Sequence, residues 1–203
     1  MNVIIAGIHT NAGKTVCSAL LCQALGWDYW KPVQAGDLDQ SDSISVARLV
    51  SNPQCKIHPE RYRLKIAASP HYAAAEEGLL IKPADFTVPD TRNSLVIETA
   101  GGVMSPLAPG FLIIDLMKQL NAPAIVVSSH YLGSINHTLL TVAALRAQGI
   151  PILGLVFSGE EVPSSGQFML EHTGLPLLFR IPFLSELTAT NIASLAANTP
   201  ISL

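Results

Sequence analysis

Charge, cysteine and aromatic residues are all scarce in this sequence. Lys, Arg, Asp and Glu together make 13% of 203 residues, and the formal net charge is −3. With no basic excess, the chain lacks the electrostatic footprint of a nucleic-acid binder. The three cysteines, Cys17, Cys22 and Cys55, form no C-x-x-C pair, and their odd number leaves one outside any disulfide scheme. Free thiols in a cytoplasmic protein are the simpler reading. No stretch reaches the ~20 predominantly apolar residues of a membrane-spanning helix. The opening apolar run has the length of a strand, with no basic region ahead of it. A cytoplasmic protein without nucleic-acid or membrane partners is therefore expected. The G-x-S-x-G, H-E-x-x-H and Asn-Lys-x-Asp patterns are also absent, and the six histidines show no metal-site spacing. No repeat, low-complexity tract or linker divides the chain, so a single domain over 1–203 is expected.

What the chain does carry is Gly7-Ile8-His9-Thr10-Asn11-Ala12-Gly13-Lys14-Thr15, placed between the apolar run Asn2–Ala6 and the apolar-rich segment Val16–Leu25. That order predicts strand, glycine-rich turn and helix. Such a turn presents backbone N–H groups to phosphate oxygens, and the helix N-terminus adds the positive end of its dipole. Lys14 can reach the outer phosphates, and the Thr15 hydroxyl can hold Mg2+. Five residues separate Gly7 from Gly13, where the usual phosphate-loop pattern has four.

Further strands are predicted at Asp28–Val33, Ser94–Glu98, Ala124–Ser128, Ile152–Phe157 and Leu177–Ile181. Helices are predicted at Lys14–Leu25, Ser43–Val50, Ser69–Gly78, Phe111–Leu120, Ile135–Gln148, Gln167–His172 and Leu187–Ala197. Between Ser51 and Asp90 mostly turn signals are visible. Apolar strands alternating with helices predict a doubly wound α/β fold: a mostly parallel sheet with helices on both faces, like the P-loop NTPases. Ligands gather at the carboxyl ends of such strands.

Several groups fall there. Lys31 ends the second strand; as a buried ammonium beside a phosphate loop it needs an anionic partner and would neutralise charge in phosphoryl transfer. Asp42 is open to two readings, helix cap or metal ligand. Glu98 closes an apolar strand just before Ala100-Gly101-Gly102, where the backbone can approach a ligand closely. Ser134 either caps the helix that follows or belongs to an anion site at its start.

In order and spacing, the loop, Lys31-Pro32-Val33-Gln34-Ala35-Gly36, Ser41-Asp42, Ser69-Pro70-His71, Glu98-Thr99-Ala100-Gly101-Gly102, Leu132-Gly133-Ser134-Ile135-Asn136-His137 and Ile181-Pro182-Phe183-Leu184 resemble the dethiobiotin synthetase family over nearly the whole chain. The resemblance implies an ATP- and Mg2+-dependent ligase that closes a ureido ring on 7,8-diaminononanoate with CO2. It implies that Asn11, Ala12, Gly13, Lys14, Thr15 and Val16 wrap the phosphates, with Thr15, Asp42 and Glu98 around the metal. It places Gly101 near the nucleotide and sets Ser158, Pro182, Phe183, Leu184 and Glu186 at the nucleoside. Thr10, Lys31, Ala35, Gly102, Ser134, Ile135 and Asn136 fall to the diamine substrate, across a homodimer interface. Lys14 and Lys31 take the catalytic charge.

The chain departs from the family pattern at Asn11, commonly acidic, and at Ala35, commonly serine. It departs again at Ser158-Gly159, where many members set an asparagine against adenine. A partitioning-type ATPase is the main rival reading, although those proteins usually carry a lysine early in the loop and Ile8–Ala12 hold none. A nucleotide-binding module without catalysis is another.

Overall fold

The computed structural model describes residues 1–201 and 203. The opening apolar run forms β1 (Asn2–Gly7), and the loop leads into α1 (Lys14–Leu25). Gly26, at φ 67°, ends α1 by donating its N–H to the Cys22 carbonyl. Then come β2 (Asp28–Trp30), β3 (Val33–Ala35), α2 (Asp42–Leu49), β4 (Ile57–His58), β5 (Tyr62–Leu64) and α3 (Pro70–Glu76). β6 (Leu95–Gly102) is followed by β7 (Pro106–Ala108), β8 (Phe111–Leu112), α4 (Ile113–Leu120) and β9 (Ala124–Ser129). The chain closes with α5 (Ser134–Ala147), β10 (Ile152–Ser158), α6 (Pro163–Thr173), β11 (Leu177–Ile181) and α7 (Ala189–Asn198).

Seven strands make one parallel sheet in the order β11-β10-β9-β1-β6-β2-β4. β1 lies in the middle, and Val3, Ile4, Ile5 and Ala6 are fully buried because both faces of the sheet are covered. Alternation along the strand sends Ile4 and Ala6 to one core with Ile97, Val126 and Leu145. Val3 and Ile5 go to the other, with Leu20 and Leu21 of α1 and Ile192 of α7. The doubly wound parallel architecture expected from the sequence is present. Among the described residues, no helix is long and apolar enough to cross a membrane.

Four elements differ from expectation. The strand expected to close at Glu98 runs on to Gly102, which pairs with Gly7, so Glu98 lies inside β6 and not at its end. The second strand breaks at Lys31-Pro32: Tyr29 and Trp30 stay in the main sheet, while Val33–Ala35 pair with β5 in a separate ribbon. Pro32 has no N–H for the ladder, and its carbonyl instead accepts from the Arg61 and Tyr62 N–H groups. The helix expected from Phe111 starts at Ile113, because Phe111 and Leu112 form a hairpin with Pro106–Ala108. α6 starts four residues before the expected Gln167, at Pro163, a residue pre-shaped for a first helical position. The region Ser51–Asp90 holds β4, β5 and α3, strands too short to leave a periodic trace.

At the end of the sheet away from the loop, Asp28 ties the β2 edge together. It accepts from the Lys56 N–H (3.1 Å), Thr91 Oγ1 (2.8 Å) and Asn93 Nδ2 (3.0 Å), and pairs with His58 Nε2 at 2.9 Å. Burial alone would raise its pKa; these bonds outweigh burial and hold the carboxyl below the ordinary carboxylate range.

Candidate active site

The phosphate loop leaves β1 at Gly7, where a Cβ would stand 2.9 Å from Lys14 Nζ. Glycine there lets the Lys14 side chain fold back across the loop, and its ammonium donates to the His9 carbonyl at 3.0 Å. Gly13 has φ 97°, and a Cβ on it would fall 2.4 Å from Ser158 Oγ. The loop therefore packs backbone-first on the end of β10. Ala12 is fully buried, Val16 is half-buried on α1, and Thr10 and Asn11 are exposed. Asn11 is left-handed at φ 64°, a conformation that Asn tolerates better than most residues.

Behind the loop lies a cluster of oxygens. Thr15 Oγ1 is 2.8 Å from Asp42 Oδ1 and 2.9 Å from Glu98 Oε1. One hydroxyl proton cannot serve both carboxylates at once, so the three oxygens converge with a donor too few. Lys31 Nζ closes the cluster, 2.5 Å from Asp42 Oδ2 and 3.4 Å from Glu98 Oε1. The other Glu98 oxygen accepts from Ser18 Oγ at 2.8 Å and Tyr29 OH at 3.0 Å. Glu98 is fully buried, opposite Ile5 in the ladder with β1. Among the described residues, no three His, Cys, Asp or Glu side chains gather as a metal site; here the set is one hydroxyl and two carboxylates, hard oxygens of the kind Mg2+ takes.

Ser41, not Asp42, caps α2, its hydroxyl accepting from the Ile44 N–H at 3.3 Å. That frees the Asp42 carboxylate for the cluster. Burial would raise its pKa, but the Lys31 charge and the hydrogen bonds from Lys31 and Thr15 lower it. Burial would likewise lower the Lys31 pKa, and Glu98 with Asp42 raises it above the ordinary value. Lys14 behaves in the opposite way. Burial pushes it down to about 8; Glu98 and Asp42 resist, and the Lys31 charge adds to the drop.

Two clefts open at the carboxyl ends of the strands. On the β6 side one of about 430 Å3 is lined by Ile8, Gly102, Met104, Ser105, His137 and Leu140. Gly102 pairs with Gly7, and a Cβ there would meet nothing nearer than the Ile8 carbonyl at 3.6 Å. Gly101, at φ 67°, lies against Ser105 and near Thr10. On the β10 side a cleft of about 320 Å3 is walled by Phe157, Gly159, Pro182 and Phe183, with His130 and the Arg180–Glu161 pair. Leu184 instead packs on the core beside α1 and α7. The exposed Glu186 uses its carbonyl to hold Asn191 Nδ2 at 3.0 Å.

α5 starts beyond Gly133, at φ 104°, so Ser134 is the first helical residue and not the cap. Ser134 is buried, Ile135 half-buried and Asn136 exposed. Tyr131 joins this helix start to the loop, stacking edge-on against His9 at 4.9 Å and hydrogen-bonding His137 Nδ1. Ala35 lies apart on β3, packed against the core.

Ser18, Tyr29 and Gln34, whose Oε1 accepts the Asp42 N–H at 3.3 Å, escaped the sequence reading. Spacing contained the signal for two of them. Ser18 is one helical turn beyond Lys14, and Tyr29 is two strand residues before Lys31.

Solved structures share this fold. The ParA family ATPase from Chlorobium tepidum TLS matches with a TM-score of 0.59 and 12% identity, over 97% of this chain and 98% of that one. The cell division ATPase MinD of Pyrococcus furiosus matches with 0.53 and 14%, over 97% of each. At such identities the likeness is one of fold. A family profile described as AAA domain covers residues 1–191. The ATP-dependent dethiobiotin synthetase BioD of Cytophaga hutchinsonii is 45% identical over 193 residues, 95% of this chain and 93% of that protein. The protein of the same description in Rhodopseudomonas palustris BisB5 is 43% identical, over 92% of this chain and 88% of its own. The chain belongs to the dethiobiotin synthetase family. In this member of the family Thr15, Lys31, Asp42 and Glu98 meet at one point.

Proposed function

We propose that this site closes the ureido ring of dethiobiotin from 7,8-diaminononanoate and CO2 at the expense of ATP, as a cytoplasmic, single-domain enzyme. The observation that carries the reading is the convergence of Thr15, Asp42 and Glu98 oxygens with the buried Lys31 ammonium at the start of α1, beside a phosphate loop whose own buried lysine, Lys14, folds back across it. The relatives' shared description as ATP-dependent dethiobiotin synthetases supports the reaction.

Phosphoryl transfer asks a protein mainly for position and charge neutralisation. The Asn11–Val16 backbone would cradle the phosphates at the start of α1. A Mg2+ ion fits the three convergent oxygens of Thr15, Asp42 and Glu98, and when bound it supplies charge neutralisation on the phosphate oxygens. One amine of the substrate is captured by CO2 as a carbamate, whose oxygen attacks the γ-phosphate; the second amine then displaces phosphate from the mixed anhydride. Lys31 and Lys14 neutralise the carbamate and the transferring phosphoryl group. The cleft between Gly102 and α5 suits the diamine chain, with Thr10 at its entrance and its distal carboxylate reaching a Ser134–Asn136 helix start across the dimer interface. The exposed Leu132, Met104 and Leu140 favour a homodimer in which that helix start serves the partner's site.

The direct experiment is turnover by purified protein with bicarbonate, Mg2+, ATP and diaminononanoate. Diamine-dependent phosphate release with dethiobiotin formation is expected; phosphate release indifferent to the diamine points to a partitioning-type ATPase, and no turnover to a binding module. Sedimentation velocity checks the dimer, which a fully active monomer would rule out. A pH effect also follows from Lys14. Its charged form binds phosphate, so ATP affinity is full well below pH 8 and is lost as pH rises through about 8. The loss should reach about tenfold between pH 7 and pH 9, as read by calorimetric titration; a flat profile would remove Lys14 from the phosphate contact.

A further inference from the structure

The two carboxylates of the oxygen cluster each present one oxygen to Thr15 and have the other engaged elsewhere. Asp42 Oδ1 takes the Thr15 side at 2.8 Å, and Oδ2 is held by Lys31. Glu98 Oε1 lies 2.9 Å from Thr15 Oγ1 and 3.4 Å from Lys31 Nζ. Its Oε2 accepts instead from Ser18 Oγ at 2.8 Å and Tyr29 OH at 3.0 Å. A carboxylate oxygen has two lone pairs, so the protein's own donors fill Oε2.

Three elements build this hold on Glu98. Tyr29 on β2 stands opposite Val96 of β6, and alternation puts Val96 and Glu98 on the same face of the sheet. α1 covers that face, packing Cys17, Leu21 and Cys22 in one cluster with Tyr29 and Val96, and brings Ser18 down onto the carboxylate. Ser18, Tyr29 and Glu98 are all fully buried. A phenylalanine ring would fill the same space. The Tyr29 hydroxyl has Glu98 as its single partner among the described residues, and a hydroxyl buried so deeply is unfavourable unless it is satisfied.

We propose that Tyr29 is a positioning residue that sets this enzyme's choice of divalent cation, by holding Glu98 to one free oxygen. The proposal rests on the metal reading above. Mg2+ demands near-octahedral geometry with short bonds, which single oxygens from Thr15, Asp42 and Glu98 suit. Ca2+ takes about six to eight oxygens and accepts carboxylates through both of theirs. With Oε2 closed by Tyr29 and Ser18, Glu98 has no second oxygen to give. Removing the Tyr29 hydroxyl opens a lone pair on Oε2 and lets the carboxylate turn. Hydrogen-bond partners of a ligating carboxylate carry about 10–100-fold in metal affinity or activity.

Calorimetric titration with the β,γ-imido analogue of ATP, which is not turned over, tests this in excess MgCl2, in excess CaCl2 and in EDTA. Wild type should bind about tenfold more tightly with Mg2+ than with Ca2+. Tyr29→Phe should lose about tenfold with Mg2+, bring the Mg2+-to-Ca2+ ratio near one, and bind as wild type does in EDTA. A merely structural hydroxyl would weaken all three titrations together, and that result overturns the proposal. So does a Tyr29→Phe protein that keeps the wild-type ratio. Ser18→Ala releases the other bond to the same oxygen and should lower the ratio part-way. If Tyr29→Phe does not fold, Ser18→Ala decides: a lowered ratio supports the hold on Oε2, and an unchanged one overturns it. Wild type that does not distinguish Mg2+ from Ca2+ overturns the proposal and leaves the metal site standing. Wild type that binds no better with Mg2+ than in EDTA overturns the metal reading as well.

Discussion

Lys31→Gln is expected to lower kcat by about two to three orders of magnitude, the usual loss when a preorganised charge is removed from a transition state. The substitution leaves a hydrogen-bond donor of similar length but no charge, so it isolates electrostatics from packing. Ser18, Tyr29 and Thr15 still donate to Glu98, and Asp42, one-third exposed, can turn to water. The fold should therefore survive with a lower melting midpoint and an unchanged circular dichroism spectrum. ATP affinity should change far less than kcat, because Lys14 and the loop backbone remain. Steady-state turnover beside ATP titration measures the split; a variant with full activity would take Lys31 out of the mechanism.

Glu98→Ala should have the largest effect on the protein as a whole. Glu98 is fully buried and takes bonds from Thr15, Ser18, Tyr29 and Lys31. Its removal strands the Tyr29 hydroxyl inside the core, leaves Ser18 Oγ with the Lys14 carbonyl at 2.9 Å as its remaining acceptor, and leaves the Lys31 ammonium with Asp42 alone. Breaking a buried ion pair by deleting one partner costs about 3–5 kcal/mol. At about 3 kcal/mol, the melting midpoint of a domain of this size falls by roughly 6–12 °C. Turnover should vanish along with the stabilisation that Mg2+ and ATP together give the wild type. A thermal scan with and without MgATP reads both effects, and an unshifted midpoint would mean that the cluster is looser than its distances imply.

The sequence was most legible where local chemistry and topology point the same way. Gly13-Lys14-Thr15 after one apolar strand and Glu98 at the close of another apolar run fall beside each other because β1 and β6 are neighbours, although β6 itself continues to Gly102. It was least legible where a tertiary partner overrides local pattern. Asp28–Val33 looks like one strand; only the ribbon with Tyr62–Leu64 draws Val33–Ala35 out of the sheet and leaves Lys31 at the break. Phe111 and Leu112 carry helical periodicity, yet pairing with Pro106–Ala108 claims them. Asp42 was ambiguous because Ser41 and Asp42 are both good caps, and which one caps is decided by the Lys31 ammonium drawing the carboxylate away.

The central place of β1 also sets when, during folding, a working site can exist. Both neighbours of β1 come from far along the chain, Ile5 opposite Glu98 and Ala6 opposite Val126. Thr15 and Glu98 are separated by 83 positions. Such non-local pairings require loop closure before their contacts repay it, so they form late. The excursion between them must also return, and it does so at Asp28, where Lys56, His58, Thr91 and Asn93 are gathered. Helices such as α1 and α5 can form ahead of that event, but the oxygen cluster cannot. Nucleotide and metal therefore meet a chain that offers them nothing until its longest-range contacts are made, and their binding stabilises the completed sheet over every species that precedes it.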